Sequence, residues 1–257
     1  SGRVVRFAEK PQSPPTDRIS VGIYVFNKDA LLRQLERLDR GEQCFNLARD
    51  IIPGMVASHR VVRYCFEGHW NYLETVEDYY RANLSLLGDS PDIDLAGWGV
   101  MTNLNDRELA RRPSAYLGPS AEASDSLISP GCHIEGKVER SVLSPGVVVE
   151  RDAVVRDSIL MHDVRVERGA NLHQVVCDKD VVFEAGTVIG SVQSGREQSA
   201  RKRGQRGGEG PLELTLIGKG LVVGPNSGSY WRAGRALARS GQAAAGTPGK
   251  RCAVRRS

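Results

Sequence analysis

The sequence predicts an α/β layer followed by a parallel β-helix, and three observations carry that reading. Short apolar, β-branched segments alternate with helical stripes up to about residue 90. From about Ala121 helical periodicity disappears and aliphatic residues recur every six positions. Beyond Pro225 the chain turns basic and loses its large apolar residues.

In the first part, Arg3–Glu9 alternates apolar and polar residues as a half-buried strand does, and Pro11, Pro14 and Pro15 force a loop after it. Ile19–Phe26 (ISVGIYVF) is short and nearly all apolar, which reads as a strand buried on both faces. Asn27 and Asp29 are candidate caps for a helix whose stripe is Ala30, Leu31, Gln34, Leu35 and Leu38. A second helix over Asn46–Ile52 is expected to stop at Pro53-Gly54. Val61–Phe66 reads as a strand, and Thr75–Leu87 as an amphipathic helix ended by Gly88.

In the second part, Ile128 and Ile134 lie six apart, as do Val149 and Val155, Leu160 and Val166, and Val166 and Leu172. Val155 to Leu160 is five, and after a short break Val176, Val182 and Val188 are expected to resume the beat. Each flat face of a β-helix consumes one such repeat and turns one aliphatic side chain inward. Gly131, Gly146, Gly169 and Gly186 fall where corners need left-handed backbone. An antiparallel sandwich has no reason to keep this beat. The expected organisation is 1–90 α/β, 91–120 linker, 121–225 β-helix and 226–257 a disordered basic tail, with a polar loop at 191–210 and a closing strand or coil at 212–223.

Composition narrows the function classes. The 257 residues are 40% hydrophobic and 26% charged, ordinary for a globular chain. No apolar run is long enough to span a bilayer, and residues 1–20 lack the apolar core of a secretory signal. Five cysteines, none at metal-finger spacing, argue against a disulfide framework and for a reducing, cytoplasmic setting. The formal charge of +4 is misleading about nucleic acid. Residues 226–257 hold seven basic and no acidic side chains, and residues 191–225 hold six basic and three acidic, which leaves residues 1–190 net acidic.

Glu9-Lys10-Pro11 stands at the end of a strand, where ligands bind in open α/β sheets. A Lys there neutralises phosphate as a point charge, and a Glu accepts hydrogen bonds from sugar hydroxyls. Gly2–Pro11 (GRVVRFAEKP) followed by Ser20–Phe26 (SVGIYVF) closely resembles the ADP-glucose pyrophosphorylase (glucose-1-phosphate adenylyltransferase) family. The ordered likeness runs on through Asp50–Pro53, Gly68-His69-Trp70, Thr75–Asn83 and Trp98–Thr102. Ser126–Cys132, Ser141–Gly146, Asp178-Lys179, Gly186–Gly190 and Ile217–Gly220 are similar to the family's β-helical signatures.

The resemblance implies the C-terminal part of a nucleotide-diphospho-sugar transferase Rossmann-like domain, then a left-handed β-helix. It implies a cytoplasmic tetramer, homo- or hetero-, in glycogen or α-glucan synthesis. It also implies that Lys10 meets the phosphate of glucose 1-phosphate, that Glu9 and Ser20 hydrogen-bond its sugar, and that Tyr24 and Trp70 line the pocket. Two departures stand out. The family's G-Y-W-x-D-V-G-T appears as Gly68–Thr75 (GHWNYLET), so the Asp that helps hold Mg2+ is Tyr72, a poor ligand for an ion that wants hard anionic oxygens. Glu74 reaches that place only if the backbone stays extended. The family's Gly-rich loop for the ATP phosphates has no counterpart in residues 1–257. The expectation is an N-terminally truncated chain, lacking the ATP-binding half and inactive alone, because phosphoryl-type transfer rests on positioning and charge neutralisation.

Two other readings stand beside this one. Tyr72 suits a non-catalytic regulatory subunit of the same enzyme. A hexapeptide-repeat acyltransferase would use a His as base, but His133, His162 and His173 read as solvated corner residues. Arg63 and the Arg111-Arg112 pair are candidate contacts for an anionic effector.

Overall fold

The computed structural model describes residues 2–38, 46–99, 111–190, 212–225, 227 and 231–232. The chain divides into two compact units, Ser1–Trp70 and Asn71–Ser257. Among the described residues no helix is long and apolar enough to cross a membrane.

The first unit is an α/β region of Rossmann-like character. Asn27 caps α1 (Lys28–Leu38), its Oδ1 accepting from the Ala30 amide at 3.1 Å. Asn46 caps a π-helical turn, Leu47–Ile51, and accepts from the Arg49 amide. The helix expected to stop at Pro53 restarts there as α2 (Ile52–Ser58). Proline in a first turn lacks only an N–H that has no intrahelical partner anyway. Ala30, Ile51 and Met55 form a small core, with Phe26, Leu31, Leu35 and Val61 packed against it. Residues 3–9 and 61–66 meet at a single antiparallel bridge, Arg3 to Val62, rather than as two full strands. The expected strand over Ile19–Phe26 is bent at Gly22 (φ +78°). It makes no backbone–backbone hydrogen bond among the described residues, and Ile19, Ile23 and Val25 are exposed. With no strand paired beside it, nothing holds the run straight.

In the second unit Thr75 and Asp78 close a capping box on α3 (Val76–Leu84). The helix ends at Ser85, ahead of the expected Gly88. A short α4 (Leu95–Trp98) is capped by Asp94 inside the stretch read as linker. A parallel β-solenoid of hexapeptide type follows, and its first strand, Tyr116–Leu117, precedes the expected onset at 121. Three sheets run along it, in the orders β1-β4-β7-β10-β13-β16, β2-β5-β8-β11-β14 and β3-β6-β9-β12-β15. Their first members are β1, β2 (Glu122–Ser124) and β3 (Leu127–Ile128). The first sheet adds β4 (His133–Ile134), β7 (Val148–Val149), β10 (Arg165–Val166), β13 (Val182–Phe183) and β16 (Val222–Val223). The second adds β5 (Lys137–Glu139), β8 (Val154–Arg156), β11 (Asn171–His173) and β14 (Val188–Ile189). The third adds β6 (Val142–Leu143), β9 (Ile159–Leu160), β12 (Val175–Cys177) and β15 (Thr215–Ile217).

Registers such as His133 to Val148 to Arg165 to Val182 stack like positions of successive coils. The inward columns are Ile134, Val149, Val166 and Phe183 on the first face and Val138, Val155, Leu172 and Ile189 on the second. The third face supplies Leu143, Leu160, Cys177 and Ile217. Burying each aliphatic side chain contributes about 1.5–3 kcal/mol. The beat past Leu172 therefore runs through Cys177, Phe183 and Ile189, one residue later than expected; Val188 is exposed and Val176 faces outward against Tyr80. The corner between the second and third faces is the cause. Asp125, Arg140, Asp157 and Gln174 each take positive φ there, and it returns the chain to the core after five residues.

Ser141 and Ser158 are fully buried at this corner and fully satisfied. Each hydroxyl donates to the carbonyl two residues back (Glu139, Arg156), and accepts from an amide of the next coil (Ser158, Val175) at 3.1 Å. Tyr80 of α3 packs with Ile159, Val176 and Leu214 on the outside of the third face, its OH donating to the Asp157 carbonyl at 2.8 Å. Burial alone would raise the Asp157 carboxyl, but hydrogen bonds from His173 and Arg140 outweigh it and hold its pKa below the ordinary value. Residues 212–223 supply β15 and β16 as expected. In the stretch expected to lack order, Trp231–Arg232 pairs antiparallel with β15. Apart from Ser227, the rest of that tail and the 191–210 loop lie outside the described residues.

Two predictions concern this framework. At Gly146 (φ +81°) a methyl group would collide with the Arg112–Asp163 bridge, whereas at Gly169 (φ +71°) it would meet nothing within 4 Å. In urea unfolding followed by far-UV circular dichroism, Gly169→Ala should cost the backbone term of about 1–2 kcal/mol, and Gly146→Ala measurably more. A carboxyl with a lowered folded-state pKa adds stability that is present above its unfolded pKa of about 4 and is lost as pH falls through the folded pKa. The stability gap between the native chain and Asp157→Asn should therefore be full at neutral pH and shrink below about pH 4.

Candidate functional site

The first unit collects four of the residues singled out for sugar-phosphate binding on two neighbouring segments. Phe26 anchors the second of these in the helical core. Tyr24 follows it, ring centroids 6.2 Å apart, and Phe7 meets Tyr24 edge-on at 6.5 Å and 72°. That T-shaped contact ties the segment carrying Glu9 and Lys10 to the segment carrying Ser20 and Tyr24. The Ser20 hydroxyl donates to the Tyr24 phenol oxygen at 2.7 Å, and the Gly22 amide donates to Ser20 Oγ at 3.2 Å. The bend at Gly22 folds the chain around this pair.

Glu9 and Lys10 are exposed two and three residues past Phe7. Lys10 takes a left-handed φ of +41° immediately before Pro11, a conformation that is sparsely populated for a side chain of its size. The structure thus brings Ser20 and Tyr24 into direct contact, and Phe7, two residues before Glu9, meets the Tyr24 ring. Trp70 is half-buried at the end of this unit. Phe7 is the residue the sequence reading passed over. The alternation Phe7-Ala8-Glu9 carried the signal, since it sets Phe7 and Glu9 on one side of an extended chain.

Tyr72 opens the following unit, 51% exposed. The chain bends at Glu74–Thr75 to enter α3, so the extended reach that would let Glu74 replace an Asp at position 72 is broken. Among the described residues no group of three His, Cys, Asp or Glu side chains is placed to hold a metal. A neutral phenol such as Tyr72 is a poor ligand for Mg2+, which favours anionic oxygens in near-octahedral array.

Among the described residues of the solenoid, neither cysteine is poised as a nucleophile. Burial pushes the Cys177 thiol up to about 12 and raises that of Cys132, the reverse of an activated thiolate. His133 and His173 lie on strands, not at solvated corners. His133 stacks on Tyr116 at 4.9 Å, and His173 Nε2 lies 3.4 Å from Asp157. A shallow groove of about 430 Å³ over the first face is lined by His133, Glu135, Glu150, Arg151, Arg165 and Arg168. Arg168 forms no ion pair among the described residues, while Arg151 is answered by Glu135 and Arg165 by Glu150. Arg112 is likewise committed, bidentate to Asp163 at 2.7 Å.

Comparison with known proteins divides the chain between residues 88 and 114, close to where the solenoid begins rather than at the Trp70–Asn71 boundary of the compact units. A nucleotidyl transferase family matches residues 1–88, and a GlmU-like, C-terminal hexapeptide family matches residues 114–207. The chain is 34% identical over 190 residues to the glucose-1-phosphate adenylyltransferase of Bacillus cereus (strain ATCC 14579), covering 72% of this chain and 49% of that one. Enzymes of the same name from Bacillus thuringiensis (strain Al Hakam) and Bacillus anthracis are 34% identical over 194 residues, with the same coverage. The chain spans about half the length of the curated relatives it matches.

Proposed function

Because the chain is related at the family level to the glucose-1-phosphate adenylyltransferases, joining a nucleotidyl transferase segment to hexapeptide coils, we propose that it carries the glucose 1-phosphate side of adenylyl transfer. The reaction joins ATP and glucose 1-phosphate into ADP-glucose and pyrophosphate, and serves glycogen or α-glucan synthesis. The observation that supports this most is the Ser20–Tyr24 hydroxyl pair, tethered through Phe7 to Glu9 and Lys10. The two segments between them carry a cation, a carboxylate, two hydroxyls and aromatic rings, the kinds of group that a sugar phosphate requires.

In this reading the Lys10 ammonium neutralises the phosphate dianion, and the exposed Glu9 carboxylate accepts from sugar hydroxyls. Ser20 and Tyr24 exchange their mutual hydrogen bond for bonds to the sugar, and Trp70 packs near the ring. Binding holds the phosphate oxygen in place for attack on the α-phosphorus of ATP. Residues 1–257 contain no Gly-rich triphosphate loop and set Tyr72 where the family's metal-binding Asp is expected. Residues 1–257 by themselves therefore bind sugar phosphate without turning it over. Tyr72 also favours a second reading, a regulatory subunit that binds sugar phosphate and acts on a catalytic partner.

Isothermal titration with glucose 1-phosphate tests the site. The native chain should bind, and Lys10→Ala should weaken binding tenfold or more, about 1.4 kcal/mol; equal affinity for both, or no binding, would contradict the proposal. ATP, Mg2+ and glucose 1-phosphate incubated with residues 1–257 should yield no ADP-glucose, and its appearance would overturn the claim that this stretch is inactive alone.

A further inference from the structure

We propose that the groove over the first face of the solenoid is a binding site for a small organic carboxylate, gripped by Arg168. The register of the sheet explains why a hollow lies there. His133 on β4, Val148 on β7 and Arg165 on β10 stand side by side on successive coils. Valine is the shortest of the three, so the surface dips between the imidazole and the guanidinium. Glu135, Glu150, Arg151 and Arg168 complete the lining. The volume of about 430 Å³ falls within the roughly 300–1,000 Å³ of small-molecule sites.

Arginines on this part of the solenoid meet a carboxylate on a neighbouring coil. Arg140 lies 2.7 Å from Asp157, Arg151 3.4 Å from Glu135, Arg156 3.2 Å from Glu139 and Arg165 2.7 Å from Glu150. Arg168 is exposed and forms no ion pair among the described residues. The carboxylates around it are already engaged. Glu150 accepts from the Arg165 guanidinium through Oε1 and from the Arg168 main-chain amide through Oε2. Glu167 Oε2 accepts from the Ala185 amide, and Glu135 faces both Arg151 and His133. Three guanidiniums against two carboxylates leave the groove one positive charge in surplus. That charge sits on a fork of N–H donors, which matches a carboxylate bidentately. Arg112 makes such a pair within the chain, to Asp163 at 2.7 Å. An exposed arginine alone is ordinary; this one borders a hollow with an apolar floor, Val148, and a flat wall, the His133 ring stacked on Tyr116 at 4.9 Å. A carboxylate on a flat apolar body satisfies fork, floor and wall together. A phosphate dianion would set a second negative charge beside Glu135 and Glu150.

Benzoate is the probe, and the arginine Nε–H resonances of residues 1–257 are the readout, with Arg168 assigned from Arg168→Gln. At constant ionic strength benzoate should shift the Arg168 resonance saturably. The Kd read from the Arg151 and Arg165 resonances should rise about tenfold or more in Arg168→Gln. Glu150→Gln keeps an acceptor for the Arg168 amide but removes a negative charge, so it should tighten binding about threefold or more; a variant that merely failed to fold would weaken it. Acetate, which lacks the apolar body, should bind about threefold or more weakly than benzoate, and inorganic phosphate no more tightly than benzoate. Lys10→Ala should bind benzoate as the native chain does, because this groove does not depend on the sugar-phosphate reading of the first unit. Shifts that grow linearly without saturation would overturn the proposal, as would undiminished binding in Arg168→Gln or weaker binding in Glu150→Gln. Phosphate binding more tightly than benzoate would overturn the carboxylate assignment. Loss of benzoate binding in Lys10→Ala would place the ligand in the first unit and overturn the site.

Discussion

Parallel pairing between coils, holding one aliphatic side chain inward on every face, is the constraint from which the rest of the second unit follows. Each coil offers its neighbours a ladder of backbone groups and a layer of core residues, so the solenoid is stabilised chiefly between adjacent coils. The corners must then use left-handed backbone, which is why Gly146, Asp157 and Gln174 stand where they do. They must also satisfy the polar groups they bury, and Ser141 and Ser158 do so by linking one coil to the next. Helix α3 gains its seat from the same corner, through Tyr80 and the Asp157 carbonyl.

The first unit lacks that reciprocity. Its helices bury Ala30, Ile51 and Met55, yet its extended segments meet at one bridge and leave Val5, Ile23 and Val25 in solvent. The residues proposed to bind glucose 1-phosphate sit on these segments. Their positions rest on the Phe7–Tyr24–Phe26 contacts rather than on a paired sheet. A site built on unpaired extended segments holds its groups less firmly than one built on strands.

Much of this architecture was legible in the residue pattern, and the failures have physical causes. The six-residue beat showed the solenoid because inward side chains report directly on coil geometry. It missed the one-residue shift to Cys177, Phe183 and Ile189, since Val175-Val176-Cys177 is apolar throughout and spacing alone does not choose which of the three turns inward. Ile19–Phe26 read as a buried strand because its composition describes the environment it suits, not the neighbours at hand. Pro53 read as a stop because its tolerance in a first turn depends on where the preceding helical turn ends. At the candidate site, Glu9, Lys10, Ser20 and Tyr24 were readable as chemistry, but the Ser20–Tyr24 hydrogen bond and the tether through Phe7 required coordinates.

The central claim is that backbone pairing between coils holds the solenoid, while the segments bearing the sugar-phosphate residues have little such pairing. Limited tryptic digestion of the purified chain, followed by mass spectrometry, tests it most directly. Arg6 and Arg18 are exposed outside any paired strand, whereas Arg165 is also exposed but lies on a strand paired on both sides. The account predicts cleavage after Arg6 and Arg18 well before any cleavage after Arg165. Cleavage after Arg165 as early as after Arg18 would contradict it, because backbone pairing is what distinguishes the two.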